Sequence, residues 1–207
     1  MNEQIPKRPK GGMTAAELMA LLEADPEWVR ARDQREAELQ ARVALLSAAE
    51  QPIVADIRAA GYGIESVWDL VNTSVPYPDA LPVLLRHLQK GGYPDRVMES
   101  MARAIAVGPA VKWWDELRDL YLRARGRGEE QGLAVALAAC ATSQQLDEMI
   151  ALVRNESLGP YRCIFFEKIK RFGGDRGVEI LESFRGDALL GKEATHLLKT
   201  KRVRRSS

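Results

Sequence analysis

The sequence predicts an all-α protein, an N-terminal helical cap followed by an α-solenoid of about four stacked helix pairs. Three observations carry that prediction. Apolar residues recur at i, i+3, i+4 and i+7 through most of the chain, the period of a helix face rather than of a strand. One such stripe returns three more times, with spacings of 33, 32 and 31 residues. Glycine and proline fall between the stripes, where helices end and begin.

Each element follows in order. Residues 1–12 hold two prolines and a Gly-Gly pair and read as a disordered tail. Thr14 and Glu17 have the spacing of a capping box, and Leu18, Leu21 and Leu22 then share a face, so 14–24 is a short amphipathic helix. Asp25 is a good N-cap for a second helix, with Pro26 at its first position. From Glu27 to Glu50 the pattern is helical but poor in apolar residues. Arg32 with Glu36 and Glu38 with Arg42 are four apart and suited to pair. Leu39, Val43, Leu46, Ile53 and Ile57 continue a narrow seam through Pro52, which is expected to kink or split the helix. Gly61-Tyr62-Gly63 ends that segment, and Ile64, Val67, Trp68 and Val71 predict a short buried helix over 64–72.

The repeats start at Pro78. Leu81, Leu84, Leu85 and Leu88 mark a first helix; Gly91-Gly92 stops it; Val97, Met101, Ala104 and Ile105 mark its partner. The first stripe returns at Trp114, Leu117, Arg118, Tyr121, then at Leu146, Met149, Ile150, Val153, and last at Gly177, Ile180, Leu181, Phe184. The partner stripe returns at Leu133, Leu137, Cys140, Ala141, at Phe165, Ile169, Phe172, Gly173, and at Leu190, Ala194, Leu197, Leu198. A lone amphipathic pair cannot bury its apolar face, so stacked pairs of period near 32 imply a solenoid, an irregular helical bundle being the alternative. The boundaries are a tail at 1–12, a cap at 13–75 with a long charged helix, repeats at 76–199 and a basic tail at 200–207.

The stretch YPDALPVLLRHLQKGGYPDRVMESMARAIAV resembles a HEAT or HEAT-like repeat of the short bacterial type. Tyr93-Pro94-Asp95-Arg96-Val97 and Ala102-Arg103-Ala104-Ile105 carry most of the resemblance, which covers roughly Pro78 to Lys199 and is strong only in the first repeat. It departs at Trp113-Trp114 and at Phe165-Phe166. The resemblance implies an α-solenoid used for binding macromolecules and leaves the partner open.

Composition narrows the function. A chain of 207 residues, 46% hydrophobic and 29% charged, reads as a globular, cytoplasmic protein rather than a disordered one. No apolar run reaches the roughly 18 residues of a membrane span, and the N-terminus lacks a signal peptide's apolar segment. Cys140 and Cys163 form neither a disulfide framework nor a metal spacing. The formal net charge of +1 hides an asymmetry: residues 1–12 carry +2 and residues 199–207 carry +5, which leaves 13–198 at −6. An acidic body with basic ends suits a protein partner, with nucleic acid contacted through the basic tail as the alternative.

Chemistry is sparse. The two histidines, His87 and His196, lack companions at metal spacing, and the paired His-Glu motifs of HEAT-like hydroxylases are absent from the sequence. Gly126-Arg127-Gly128 lacks the Lys and Ser/Thr of a phosphate loop. No catalytic residue, metal or cofactor is expected. In solenoids of this type the second helices usually line the concave face. The candidate partner-binding residues on that face are therefore Arg96, Glu99, Arg103, Arg162, Lys168, Lys192 and His196, in a row that with Glu130 and Glu193 is of mixed sign as a protein partner favours; Trp113 is a separate candidate, because Trp114 takes the core stripe and leaves it to point elsewhere. Two alternatives stand beside this non-enzymatic interaction module. Some HEAT-like proteins are alkylpurine DNA glycosylases, and Trp113, Asp115 and Arg162 are the residues to cast in their parts. The chain could instead self-assemble into a homo-oligomer through the charged helix around Trp28–Leu46.

Overall fold

The computed structural model describes residues 13–200; the tail at 1–12 and all but Thr200 of the basic tail lie outside them. Among the described residues every regular element is helical. They are α1 (Ala15–Glu23), α2 (Pro26–Ala59), α3 (Trp68–Asn72), α4 (Ala80–Lys90), α5 (Asp95–Ala104), α6 (Trp114–Arg123), α7 (Arg127–Cys140), α8 (Leu146–Arg154), α9 (Phe166–Ser183) and α10 (Gly191–Lys199). Three 3₁₀ segments, Gly108–Trp113, Ser143–Gln145 and Pro160–Phe165, lead into α6, α8 and α9. The chain divides into two compact units, one ending at Leu45 and one starting at Leu46.

In the first unit α1 starts on the expected capping box: the Thr14 hydroxyl accepts from the Glu17 amide while the Glu17 carboxylate accepts from the Thr14 amide. Asp25 Oδ1 likewise accepts from the amides of Glu27 and Trp28 to open α2. The short helix forms as expected but its apolar face is not buried, and the expected Arg32/Glu36 pair does not form. Leu18 and Leu21 are exposed, α1 has no buried residue, and Arg32 pairs with Asp33 at 2.8 Å.

α2 runs on through Pro52 as one helix, so the proline does not split it in two. The ring removes the bond that residue 52 would give to the carbonyl of Ala48, and Ala48 is exposed, which leaves that acceptor open to solvent rather than orphaned in the core. Beyond it Ile53, Val54 and Ile57 are buried.

The second unit holds the core. The helix expected over 64–72 is shorter: Ile64 and Val67 are buried in an irregular approach, and only Trp68–Asn72 is helical. Asp69 explains the late start, because its Oδ2 accepts from the amides of Glu65 and Ser66 and holds the chain in a turn. Gly91 and Gly92 close α4 with φ of 63° and 82°, a region that residues with a Cβ avoid.

The stripes become the core nearly residue by residue. Leu81, Leu84, Leu88, Val97, Met101, Ile105, Leu117, Tyr121, Leu133, Leu137, Met149, Ile150, Val153, Phe165 and Ile169 are all buried. Within pairs, α4 packs on α5, α6 on α7 and α8 on α9; between pairs, α5 packs extensively on α7, and α7 on the Pro160–Phe165 segment. Where the sequence separates a third second-helix from a fourth first-helix at Gly173-Gly174, α9 continues, but Gly174 breaks it with φ 57° and ψ −125°. A Cβ on Gly177 would collide with the Ile169 carbonyl, so the chain folds back past a position that only glycine fills.

Candidate functional site

The candidate residues form one cluster and several separate points. On α5, Glu99 is buried between two arginines of its own helix. Arg96 Nη1 donates to one oxygen at 2.6 Å and Arg103 Nε to the other at 2.7 Å. These are the i,i+3 and i,i+4 neighbours that helix geometry brings together. Arg96 also lies over the ring of Trp68 from α3, 4.5 Å from its centroid. Half of this clamp therefore serves the fold, while the side chain of Arg96 is 58% exposed.

Trp113 sits at the last position of the 3₁₀ turn before α6, half-buried against the core, with Lys112 Nζ 4.2 Å above its ring. Lys168 on α9 lies over Phe172 at 5.7 Å. Lys192 and His196 are exposed on α10. No hydrogen bond, ion pair or ring contact among the described residues joins these four to one another or to the α5 clamp.

Arg162 does not belong to an exposed surface. It is buried, and its Nη1 donates to the carbonyls of Val153 and Asn155 at 2.9 and 3.1 Å, the open end of α8. A cation at a helix C-terminus satisfies orphan carbonyls and the dipole together. Arg162 Nε and the Tyr121 hydroxyl, both buried, have no hydrogen-bond partner. Burial, followed by the nearby Glu130 carboxylate, pushes the Tyr121 phenol well above its usual range.

His87 is buried as well. Its Nδ1 is 2.7 Å from the Tyr93 hydroxyl and its Nε2 is 2.9 Å from Asp56 Oδ2, which also accepts from Arg86 Nη2 at 2.8 Å. The Arg86 bond first, then His87, holds the Asp56 carboxyl below the usual range. The chain Asp56–His87–Tyr93 ties α2, α4 and the entry to α5 into one polar junction.

Sequence reasoning missed a set of long polar links. Asp95, at the start of α5, accepts from the amides of Gly128 and Glu129 at the start of α7. Glu130 on α7 accepts from the Gly159 amide ahead of the next second helix. On the other side of the pairs, Trp114 Nε1 and Arg118 Nη1 of α6 donate to Glu148 of α8, and Arg176 donates to Asp147. Lys170 donates to the Leu197 and Thr200 carbonyls. Each of these bonds, with those of Asp56 to α4 and of Tyr77 to the Ala104 carbonyl, joins residues 27 to 34 apart. Among the described residues the remaining side-chain hydrogen bonds span 17 residues or fewer. The signal was present in the sequence as polar residues in phase with the apolar repeat.

A surface cavity of about 520 Å³ opens beside the turns of the first two pairs, lined by Gly91, Gly92, Tyr93, Asp95, Arg123, Arg125 and Glu129 among others. Among the described residues no group of three or more His, Cys, Asp or Glu is placed to hold a metal ion, and no helix is long and apolar enough to cross a membrane.

Comparison with known proteins finds no matching protein-family model, no matching curated protein and no matching solved structure.

Proposed function

We propose that Pro78–Lys199 is an α-solenoid of about four HEAT-like helix pairs, and that the protein is a non-enzymatic, cytoplasmic module binding another protein along the exposed face of its second helices. The observation that carries this reading is the common 27-to-34-residue span of the long polar links, since one period governs which residues become neighbours. Stacked pairs of one period present the same helix position repeatedly to solvent, which makes an extended surface rather than a single cleft. On the second helices of this reading Arg96, Lys192 and His196 are exposed, Lys168 and Arg103 are partly exposed and Glu99 is buried, while Trp113 lies apart from them in the turn before α6. Exposed Glu193 beside Lys192 and His196 gives the row both signs, and this, the net charge of −6 over residues 13–198 and a half-buried tryptophan as anchor suit a protein partner better than a phosphate backbone.

The test is affinity capture from the native host with the wild-type chain and with a Trp113→Ala, Lys168→Glu, Lys192→Glu variant of unchanged circular dichroism. A protein retained by the first and lost by the second supports the reading. Capture that is identical for both overturns the proposed face. Salt-sensitive binding of duplex DNA by residues 13–198 would overturn the preference for a protein partner.

A further inference from the structure

We propose that residues 13–45 are a self-association surface, on which a second copy of the same chain lays its α2 antiparallel, with the two-fold axis beside Gln34. This surface is separate from the helix-pair face argued above and stands or falls without it.

The first observation is exposure. In this unit Leu18, Met19, Leu21, Leu39, Val43 and Leu45 are between 44% and 62% exposed. A nine-residue helix such as α1 is shorter than the roughly 12–15 residues at which isolated helices become marginally stable in water. A helix that short, showing three large apolar side chains to solvent, is stabilised by something packed over it.

The second observation identifies the occupant. Val29, Arg32, Glu36, Leu39 and Val43 follow the 3–4–3–4 spacing of a coiled-coil seam. The seam has apolar ends and a charged middle, and the two charges are opposite. In a parallel pair Arg32 meets Arg32 and Glu36 meets Glu36. In an antiparallel pair centred on residue 34, Arg32 meets the second copy's Glu36 twice, and Val29 meets the second copy's Leu39 twice. The surface is thus self-complementary about a two-fold axis, the requirement for an isologous dimer. The antiparallel order also sets the two helix dipoles in favourable opposition. The groups have capacity for these bonds: Arg32 uses Nε and Nη2 on Asp33, leaving Nη1, and Glu36 uses only Oε1, on Gln40. α1 joins α2 through Ala24 and Asp25, which places it at the end where the second copy exposes Val43.

A contact of about 20 residues of helix per copy, about 30 Å long, lies at the low end of stable interfaces, so dissociation in the micromolar range is expected. The test is sedimentation equilibrium of the full chain from about 1 to about 100 µM, concentrations that bracket such a constant. Wild type is expected to pass from monomer to dimer across that range. Arg32→Glu and Glu36→Arg, both at exposed positions, are each expected to weaken the dimer at least about tenfold, the equivalent of 1.4 kcal/mol. Mixing the two single variants is expected to restore a 1:1 dimer, and the double variant R32E/E36R is expected to dimerise like wild type. A wild type that is monomeric at the highest concentration overturns the proposal. So do single variants that dimerise unchanged, because a parallel pair is indifferent to either reversal.

Discussion

Gly132→Ala tests how closely α5 and α7 approach, the most extensive helix–helix contact among the described residues. In an exposed helix interior this change stabilises by about 1 kcal/mol, because alanine loses less backbone entropy than glycine. At position 132 a Cβ would lie 2.8 Å from the Ala102 Cβ, 3.0 Å from the Glu99 carbonyl oxygen and 3.3 Å from the Glu99 Cα. Two of the three atoms are backbone and the third is a methyl with no rotamer to change. The helices must therefore separate, and overpacking of this kind costs about 1–3 kcal/mol. With contacts at and below 3.0 Å on unyielding atoms, the strain belongs in the upper part of that range, about 2–3 kcal/mol, and set against about 1 kcal/mol of propensity it leaves a net loss of about 1–2 kcal/mol. Urea unfolding followed by far-ultraviolet circular dichroism measures it as a lower midpoint at unchanged slope. Adding Ala102→Gly removes the methyl facing the new one and is expected to recover part of the loss. A Gly132→Ala protein as stable as wild type, or more so, would show that α5 and α7 are not in close register and would refute the packing argument.

Three further outcomes follow from buried or capping groups. Arg162→Met is expected to cost about 2–4 kcal/mol in the same unfolding assay, because buried carbonyls at the end of α8 lose their charged donor. A partner-binding role with no structural one predicts no change. The Asp187 carboxyl is held below the usual range by the amides of Leu190 and then Leu189 at the start of α10. Its stabilisation is complete above the ordinary aspartate pKa of about 3.9 and is lost as pH falls through the lower folded value. Asp187→Asn should therefore flatten the decline of stability as pH falls below about 4, and an identical acid profile would count against the bond. Burial pushes the Cys140 thiol up to about 11, so at neutral pH it should react with a disulfide reagent only after unfolding, and rapid native-state labelling would contradict its burial.

How much of this was legible in sequence depended on which interaction set each residue's place. The apolar stripes were legible, because burial of a face every 3.6 residues leaves a period in the chain. Capping at Thr14 and Asp25 was legible because those bonds are local. Positions decided by distant partners were not. Arg162 looks like any surface cation until α8 ends beside it, and His87 looks like a helix-end histidine until Asp56 and Tyr93 close on it. Pro52 left two outcomes open for a related reason: whether a proline splits a helix depends on whether water can reach the carbonyl it orphans, and Ala48 is exposed. The α5 clamp was half legible. Arg96, Glu99 and Arg103 are visibly spaced to pair, but the burial of Glu99 follows from packing that the spacing does not show.

The long links also show where polar ties between helices are fewest. α2 is tied to α4 by Asp56, α6 to α8 by Glu148, and α8 to the second half of α9 by Arg176. Among the described residues no side-chain hydrogen bond joins α4 to α6, and the 520 Å³ cavity opens beside their C-terminal turns, lined by Leu88, Gln89, Leu120 and Arg123. The polar connection between the first two pairs rests on Asp95, whose two oxygens accept from the Gly128 and Glu129 amides, each at 2.9 Å. That carboxylate acts as the N-cap of a helix 33 residues away, a role α7 cannot fill locally because Gly126 stands at its own cap position. Asp95→Ala should then cost about 1–2 kcal/mol, the usual loss of a charged cap. Asp95→Asn should lose less, since one acceptor oxygen remains. Native-state hydrogen exchange gives the sharper reading, with Gly128 and Glu129 losing protection in the alanine variant while the amides of α8 and α10 keep theirs. Unchanged protection at both amides would mean that Asp95 does not cap α7, and that the first two pairs are held by apolar packing alone.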